Sequence, residues 1–337
     1  MKKHIFGFII NIIIAAVLSA GAAFFPYASV LIMAVSTIFF MVCAYTHKIS
    51  ETLILLIASL LAIIAAKCSL SVNADNLFTS TSLFCLTSLS GAVIGLLTKF
   101  KSSFRMVIAG GTFANLASFL IDFAVLKFRH NLDLGEELIN KPVADFFEVY
   151  SQILSSANIS GAENIIEVMG DLQWYMQQML ATVVPSVLII LCAFFAYVTF
   201  VIGRKFIFKK HGVVMENYPH FWQLQLPRSA SMALAVLFIV TFFMNSSPVA
   251  GAITNIIIIL CALYMLCGLS VVDFFLRKKR FHWAIRIVIY VIAFTVLSVI
   301  GVLIPVANAP SLLLFTGVID GLFDFRRLRS GGEKYEA

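Results

Sequence analysis

Residues Ile5–Phe24 read IFGFIINIIIAAVLSAGAAF, an uninterrupted apolar run with no charged side chain. A helix rises about 1.5 Å per residue, so a run of this length covers the roughly 30 Å hydrocarbon core of a bilayer. Lys2 and Lys3 precede it and Phe25-Pro26 follow. Nine more apolar stretches lie downstream: Tyr27–Thr46, Thr52–Val72, Leu77–Thr98, Phe104–Leu126, Leu180–Ile202, Ala230–Phe243, Val249–Leu276, Ala284–Pro305 and Asn308–Phe323. The whole chain of 337 residues is 61% hydrophobic and 12% charged, with a mean hydropathy of +0.99. Soluble domains carry about 25% charged residues. A surface this poor in charge excludes a soluble enzyme, a disordered chain and a DNA-binding module. The expected fold is an all-α, polytopic transmembrane helical bundle with nine or ten membrane segments. The tenth stretch is short, and three placements stay open for it: crossing, re-entering or lying at the surface.

The net charge is +7. Basic residues gather in cytoplasmic loops of membrane proteins, so the charge is read first as orientation. With the N-terminus inside and ten crossings, only Lys67, Lys127, Arg129 and Lys141 of the 24 lysines and arginines fall outside or near the outer edge. That asymmetry predicts both termini in the cytoplasm of a bacterial inner membrane and removes nucleic acid as a partner. The first segment has a basic start and small residues at Ser19–Ala23, as a signal peptide does. Its long unbroken core is read as a retained helix.

One large polar region, 127–178, separates an N-terminal membrane half (1–126) from a C-terminal half (179–337). It holds Asp133, Glu136, Glu137, Asp145, Glu148, Glu163, Glu167 and Asp171 and is expected outside. Val143, Phe146, Phe147, Tyr150, Ile153 and Leu154 repeat at helical spacing after Pro142. A second stripe, Ile165, Met169, Leu172, Met176 and Met179, follows Ser160–Glu163, which has capping-box form. Together they predict an extracytoplasmic amphipathic helical hairpin, read either as a surface-packed cover or as a lid.

No nucleophile elbow, zinc-protease helix or phosphate loop is present, and the six histidines are scattered. No enzyme activity, cofactor or metal is therefore expected. The six cysteines sit in or beside apolar runs without paired spacing, as small core residues do.

Polar side chains at membrane depth mark candidate sites. Asn11, Asn115, Asp122 and Asn255 form the candidate cavity lining, with interhelical hydrogen bonding as the plainer alternative. Asp273 is expected to pair locally with Arg277. Small residues at four-residue spacing (Ala16 and Ala20, Gly91 and Gly95, Gly317 and Gly321) are candidate helix-packing or docking positions. Pro185 is expected to disturb the sixth segment. Near the chain end Asp320, Asp324, Arg326 and Arg327 form a candidate network at the inner end. The string Phe221–Arg228, beside Arg204-Lys205 and Lys209-Lys210, suits an interfacial segment.

The Phe221-Trp222-x-Leu224-x-Leu226-Pro227 string and the terminal Gly317-x-x-Asp320-x-x-x-Asp324-Phe325-Arg326, with Phe25-Pro26 after the first segment, resemble the YybS-like family of uncharacterised bacterial membrane proteins. That family is similar to the substrate-binding S components of energy-coupling-factor transporters. The resemblance implies capture of a small-molecule ligand, energised by a separate ATPase module. S components have six helices, fewer than the nine or ten expected here. Partnership in a membrane protein complex, as a structural or assembly element, is the rival expectation.

Overall fold

Backbone groups in hydrocarbon find no water, so an apolar run must satisfy its own N–H and C=O groups by coiling. The computed structural model shows this throughout. It describes residues 2–25, 29–70, 74–131, 135–156, 162–212, 218–244, 248–303 and 308–328, and among them every long element is a helix and none is a strand. In chain order these are α1 (Lys2–Phe24), α2 (Ser29–Thr46), α3 (Ile49–Leu70), α4 (Ala74–Phe84), α5 (Ser90–Lys99), α6 (Phe104–His130), α7 (Lys141–Ser156), α8 (Ala162–His211), α9 (Arg228–Phe243), α10 (Pro248–Lys278), α11 (Trp283–Leu303) and α12 (Ala309–Phe323).

Among the described residues, six helical stretches are long and apolar enough to cross a membrane: Ile5–Phe24, Ile49–Ser69, Thr79–Lys99, Phe104–Phe128, Val168–Lys209 and Val249–Lys278. Four shorter apolar helices are Val30–Thr46, Arg228–Thr241, Trp283–Leu297 and Ala309–Phe323. Their outward faces carry exposed isoleucine, leucine, valine and phenylalanine, as lipid-facing surfaces do.

Two departures from the sequence expectation stand out. The stretch Leu77–Thr98 is not one regular helix, because a π-helical turn, Cys85–Leu89, joins α4 to α5. The second amphipathic stripe and the sixth apolar run are not separate elements either: α8 is one 50-residue helix containing Pro185, about 75 Å long at the standard rise. Ser160 of the capping box lies outside the described residues. On α7, Val143 and Phe147 are buried, whereas Phe146, Tyr150 and Ile153 of the expected stripe are exposed.

The chain divides into two units, 1–184 with 188–215 and 185–187 with 216–337. In the first, α1 packs on α3 and α2 on α5. Ala15, Phe40, Cys43 and Leu55 form one core cluster, and Ala23, Ile63 and Ala66 another. Gly91 and Gly95 let α5 touch the backbone of α2: a Cβ at either would collide with the carbonyl of Thr37 or Met41. In the second unit, α10 packs on α12 around Leu234, Ile257 and Tyr264. Gly268 and Gly317 allow this approach, since a Cβ on them would meet the carbonyls of Leu313 and Tyr264. Asn308 caps α12 by accepting from the Ser311 N–H at 2.8 Å.

Candidate functional site

Among the described residues, three sets of three or more linked polar side chains lie inside the first unit. The central one is a chain of hydroxyls. Ser59 on α3 is fully buried. Its Oγ is 2.7 Å from Ser19 Oγ on α1 and 2.5 Å from Ser88 Oγ in the π turn. Ser88 Oγ is in turn 3.2 Å from Thr87 Oγ1, which donates to the Leu83 carbonyl at 2.8 Å. The π turn matters here because a wider turn re-aims its side chains, and both Thr87 and Ser88 point inward. A hydroxyl is both donor and acceptor, so the chain can reverse its bonds or turn one toward a third polar group.

The second group lies six residues before Ser88, roughly 9 Å along the helix axis. Ser82 Oγ is 2.7 Å from Ser118 Oγ and donates to Asp122 Oδ2 at 2.7 Å. The third group sits where α2 turns into α3. Asn11 Nδ2 donates to His47 Nε2 at 2.8 Å, and His47 Nδ1 is 3.0 Å from Glu51 Oε2. With the Asn11 amide so oriented, Nδ1 carries the proton toward Glu51. Lys99 Nζ donates to the His47 carbonyl.

The four proposed cavity residues therefore do not meet in one hydrogen-bonded set. Asn11 belongs to the His47 group and Asp122 to the Ser82 group. Asn115, on the same face of α6 as Asp122, donates to the Cys192 carbonyl at 3.1 Å. Asn255 belongs to the second unit, where its Oδ1 accepts from the Ser186 N–H at 3.0 Å, one residue after Pro185. Ser36 Oγ is buried without a partner among the described residues. Ala16 and Ala20, with Val17, Phe24, Ala62, Ala65 and Ala66, line a shallow apolar groove of about 430 Å³ between α1 and α3.

Among the described residues, the second unit holds two ionic groups. Arg326 is completely buried against Asp320. Its Nη1 donates to the Trp222 carbonyl at 2.5 Å and to Ser270 Oγ at 2.7 Å, and its Nη2 to the Leu224 carbonyl at 2.7 Å. Gln225 Nε2 reaches Asp320 Oδ2 at 3.1 Å and Asp324 Oδ1 at 3.0 Å. The Phe221–Arg228 string is thus tied to the end of α12 by a salt bridge with amide and carbonyl partners. Asp320, Asp324 and Arg326 come together, while Arg327 is exposed beside them. Asp320 Oδ1 is buried and has no partner among the described residues.

At the α10–α11 turn, Asp273 accepts from Arg277 Nε at 2.9 Å, Arg286 Nη1 at 2.6 Å and the Tyr290 hydroxyl at 2.9 Å. Sequence reasoning found the Arg277 partner only. Arg286 and Tyr290 are four apart, hence on one helical face, and that spacing was the available signal. The hydroxyl chain was missed altogether. Serine is common in membrane helices, and nothing in the sequence links positions 19, 59 and 88.

Among the described residues no three His, Cys, Asp or Glu side chains are placed to hold a metal ion. No curated protein and no solved structure matches the chain. A family model does, over residues 13–307, and on that match the chain belongs to a family of predicted membrane proteins, DUF2232.

Proposed function

We propose that this membrane protein binds or transports a small molecule without chemical conversion, in the manner of the S components that the YybS-like family resembles. In this reading all ten apolar segments cross the bacterial inner membrane, both termini are cytoplasmic, and the 127–178 region forms an outer helical hairpin. A separate ATPase module is the partner that would supply energy.

The observation that carries the reading is the buried hydroxyl chain Ser19–Ser59–Ser88–Thr87 at a π turn. Irregular helix at membrane depth is tolerated only where protein or a cavity covers it, and π turns collect at functional positions. Ser82 on α4, just before the π turn, forms a second polar group with Ser118 and Asp122 on α6. Such hydroxyls, each able to donate or accept, would pair with a ligand that carries hydroxyl or amide groups rather than with a hydrocarbon.

A second reading, a structural or assembly partner in a membrane complex, is favoured by one specific fact: Asn11, Asn115, Asp122 and Asn255 all have hydrogen-bond partners inside the chain. Native mass spectrometry of the protein extracted from its own membranes separates the two. A small molecule that co-purifies and is lost in the S59A/S88A variant supports binding. A stoichiometric membrane protein partner with no small molecule supports assembly and overturns the first reading.

A further inference from the structure

We propose that the turn between α10 and α11 is a binding site for the phosphate headgroup of an anionic phospholipid in the leaflet it faces. This inference uses only the membrane setting and stands apart from the small-molecule reading.

The stretch from Asp273 to Arg286 contains one carboxylate, Asp273, and five cations: Arg277, Lys278, Lys279, Arg280 and Arg286. Asp273 is buried and already accepts from two guanidinium groups and a tyrosine hydroxyl. It has no capacity to neutralise the rest. Arg286 is drawn inward, with its side chain 14% exposed, while Arg277 is 42% exposed and bonds Asp273 through Nε. Lys278, Lys279 and Arg280 are exposed. They have no ion-pair partner among the described residues.

The backbone of the turn points the same way. Phe281 N–H reaches the Leu276 carbonyl at 3.2 Å and Arg280 N–H the Arg277 carbonyl at 2.8 Å. This is the Schellman ending of a helix, and its left-handed position normally holds glycine. Here Arg280 occupies it at φ +58°. A strained arginine therefore completes a run of like charges that repel one another. Cations do favour a helix C-terminus, but that field acts on the last turn and does not call for four in succession. The turn after α5 is the internal comparison. It has the same ending, with Lys101 at φ +53°, yet its Lys99 is engaged with the His47 carbonyl. Trp283, 61% exposed, and Phe281, 39% exposed, flank the α10–α11 cations. Aromatic rings beside exposed bases are the pattern of the headgroup layer.

The test uses the full chain in nanodiscs of phosphatidylcholine alone or mixed with phosphatidylglycerol, and native mass spectrometry of the lipids retained on release. Preferential retention of phosphatidylglycerol is expected, weakening about fivefold for each charge removed in the K278Q, K279Q and R280Q series. The charge-preserving K278R/K279R variant should retain it, and neutralising Lys101 and Arg105 should not matter. Equal retention by the triple neutral variant, or equal retention of phosphatidylcholine, overturns the proposal. So does complete displacement by excess inorganic phosphate, which would make the site one for a free anion. All three substituted residues are exposed, and a melting temperature matching the wild type in phosphatidylcholine confirms that the variants are folded.

Discussion

Arg326 grips a single oxygen of Asp320 with two of its nitrogens: Nε lies 3.1 Å and Nη2 2.8 Å from Oδ2. Both side chains are wholly buried. A charge pair so placed is sustained by its additional hydrogen bonds, because desolvation opposes it strongly. Here those bonds come from two backbone carbonyls of the Phe221–Arg228 string and from Ser270. The pair therefore ties the short 3-10 turn Phe221–Gln223 and the extended residues after it to α12 rather than merely joining two α-helices.

Removing the arginine should be far worse than removing the pair. R326Q leaves Asp320 buried without a counter-charge and is expected to destabilise by about 3–5 kcal/mol. The double variant D320N/R326Q should recover part of that loss, because no ion is left stranded. R326K keeps the charge but not the planar fork, so it should fall between. Thermal unfolding in detergent, followed by tryptophan emission, gives the order. A double variant less stable than R326Q refutes the account.

Gly91 makes a separate prediction about packing. A methyl group there would run into the carbonyl of Thr37, which is backbone and cannot rotate away. G91A should force α5 away from α2 and cost about 1–3 kcal/mol. Gly7 faces open space, with no atom within 4 Å of where an added methyl would stand, so G7A should be neutral or slightly stabilising through helix propensity. Melting temperatures of the two variants, side by side, check this.

Much of the helical layout was readable because bilayer thickness and backbone satisfaction leave so few options. The run Phe104–Leu126 lies within α6 and Val249–Leu276 within α10. The reading failed at α8 for a definite reason. Its polar stripe up to Met179 and its apolar run from Leu180 share one helical period, and nothing between them breaks a helix. A change from amphipathic to apolar marks a change of surroundings, not an end of the element. The chain-end network was partly legible, since Asp320 and Asp324 are four apart with Arg326 just beyond. Gln225 was not, because its partners are 95 and 99 residues away. The hydroxyl chain spans separations of 40 and 29 residues between small neutral side chains. Only tertiary packing can bring those together.

Asn115 tests how much an amide contributes between membrane helices. It is 3% exposed and its Nδ2 donates to the Cys192 carbonyl on α8. Helical carbonyls already accept one bond, so N115L strands no acceptor on α8. The loss should stay near the measured range for such bonds in membranes, about 0.6 and at most about 1.7 kcal/mol. A cost well above this, read from thermal or chemical unfolding, would mean that Asn115 supports more than this one link.

Ser59 should behave as the centre of its chain. Its hydroxyl bonds both Ser19 and Ser88, whereas among the described residues Ser19 bonds Ser59 alone. S59A therefore breaks two bonds and S19A breaks one. At about 0.6 kcal/mol per interhelical bond, S59A should cost roughly twice as much as S19A. The S19A/S59A variant should be little worse than S59A alone, since the Ser19 bond is already gone; neighbours in one network are not additive. Ser88 keeps Thr87 at 3.2 Å, so the π turn should persist in S59A. Unfolding free energies of the three variants give the coupling directly. If S19A and S59A cost the same and add in full, the hydroxyls act as separate packing groups, and the chain loses its claim as a connected polar surface.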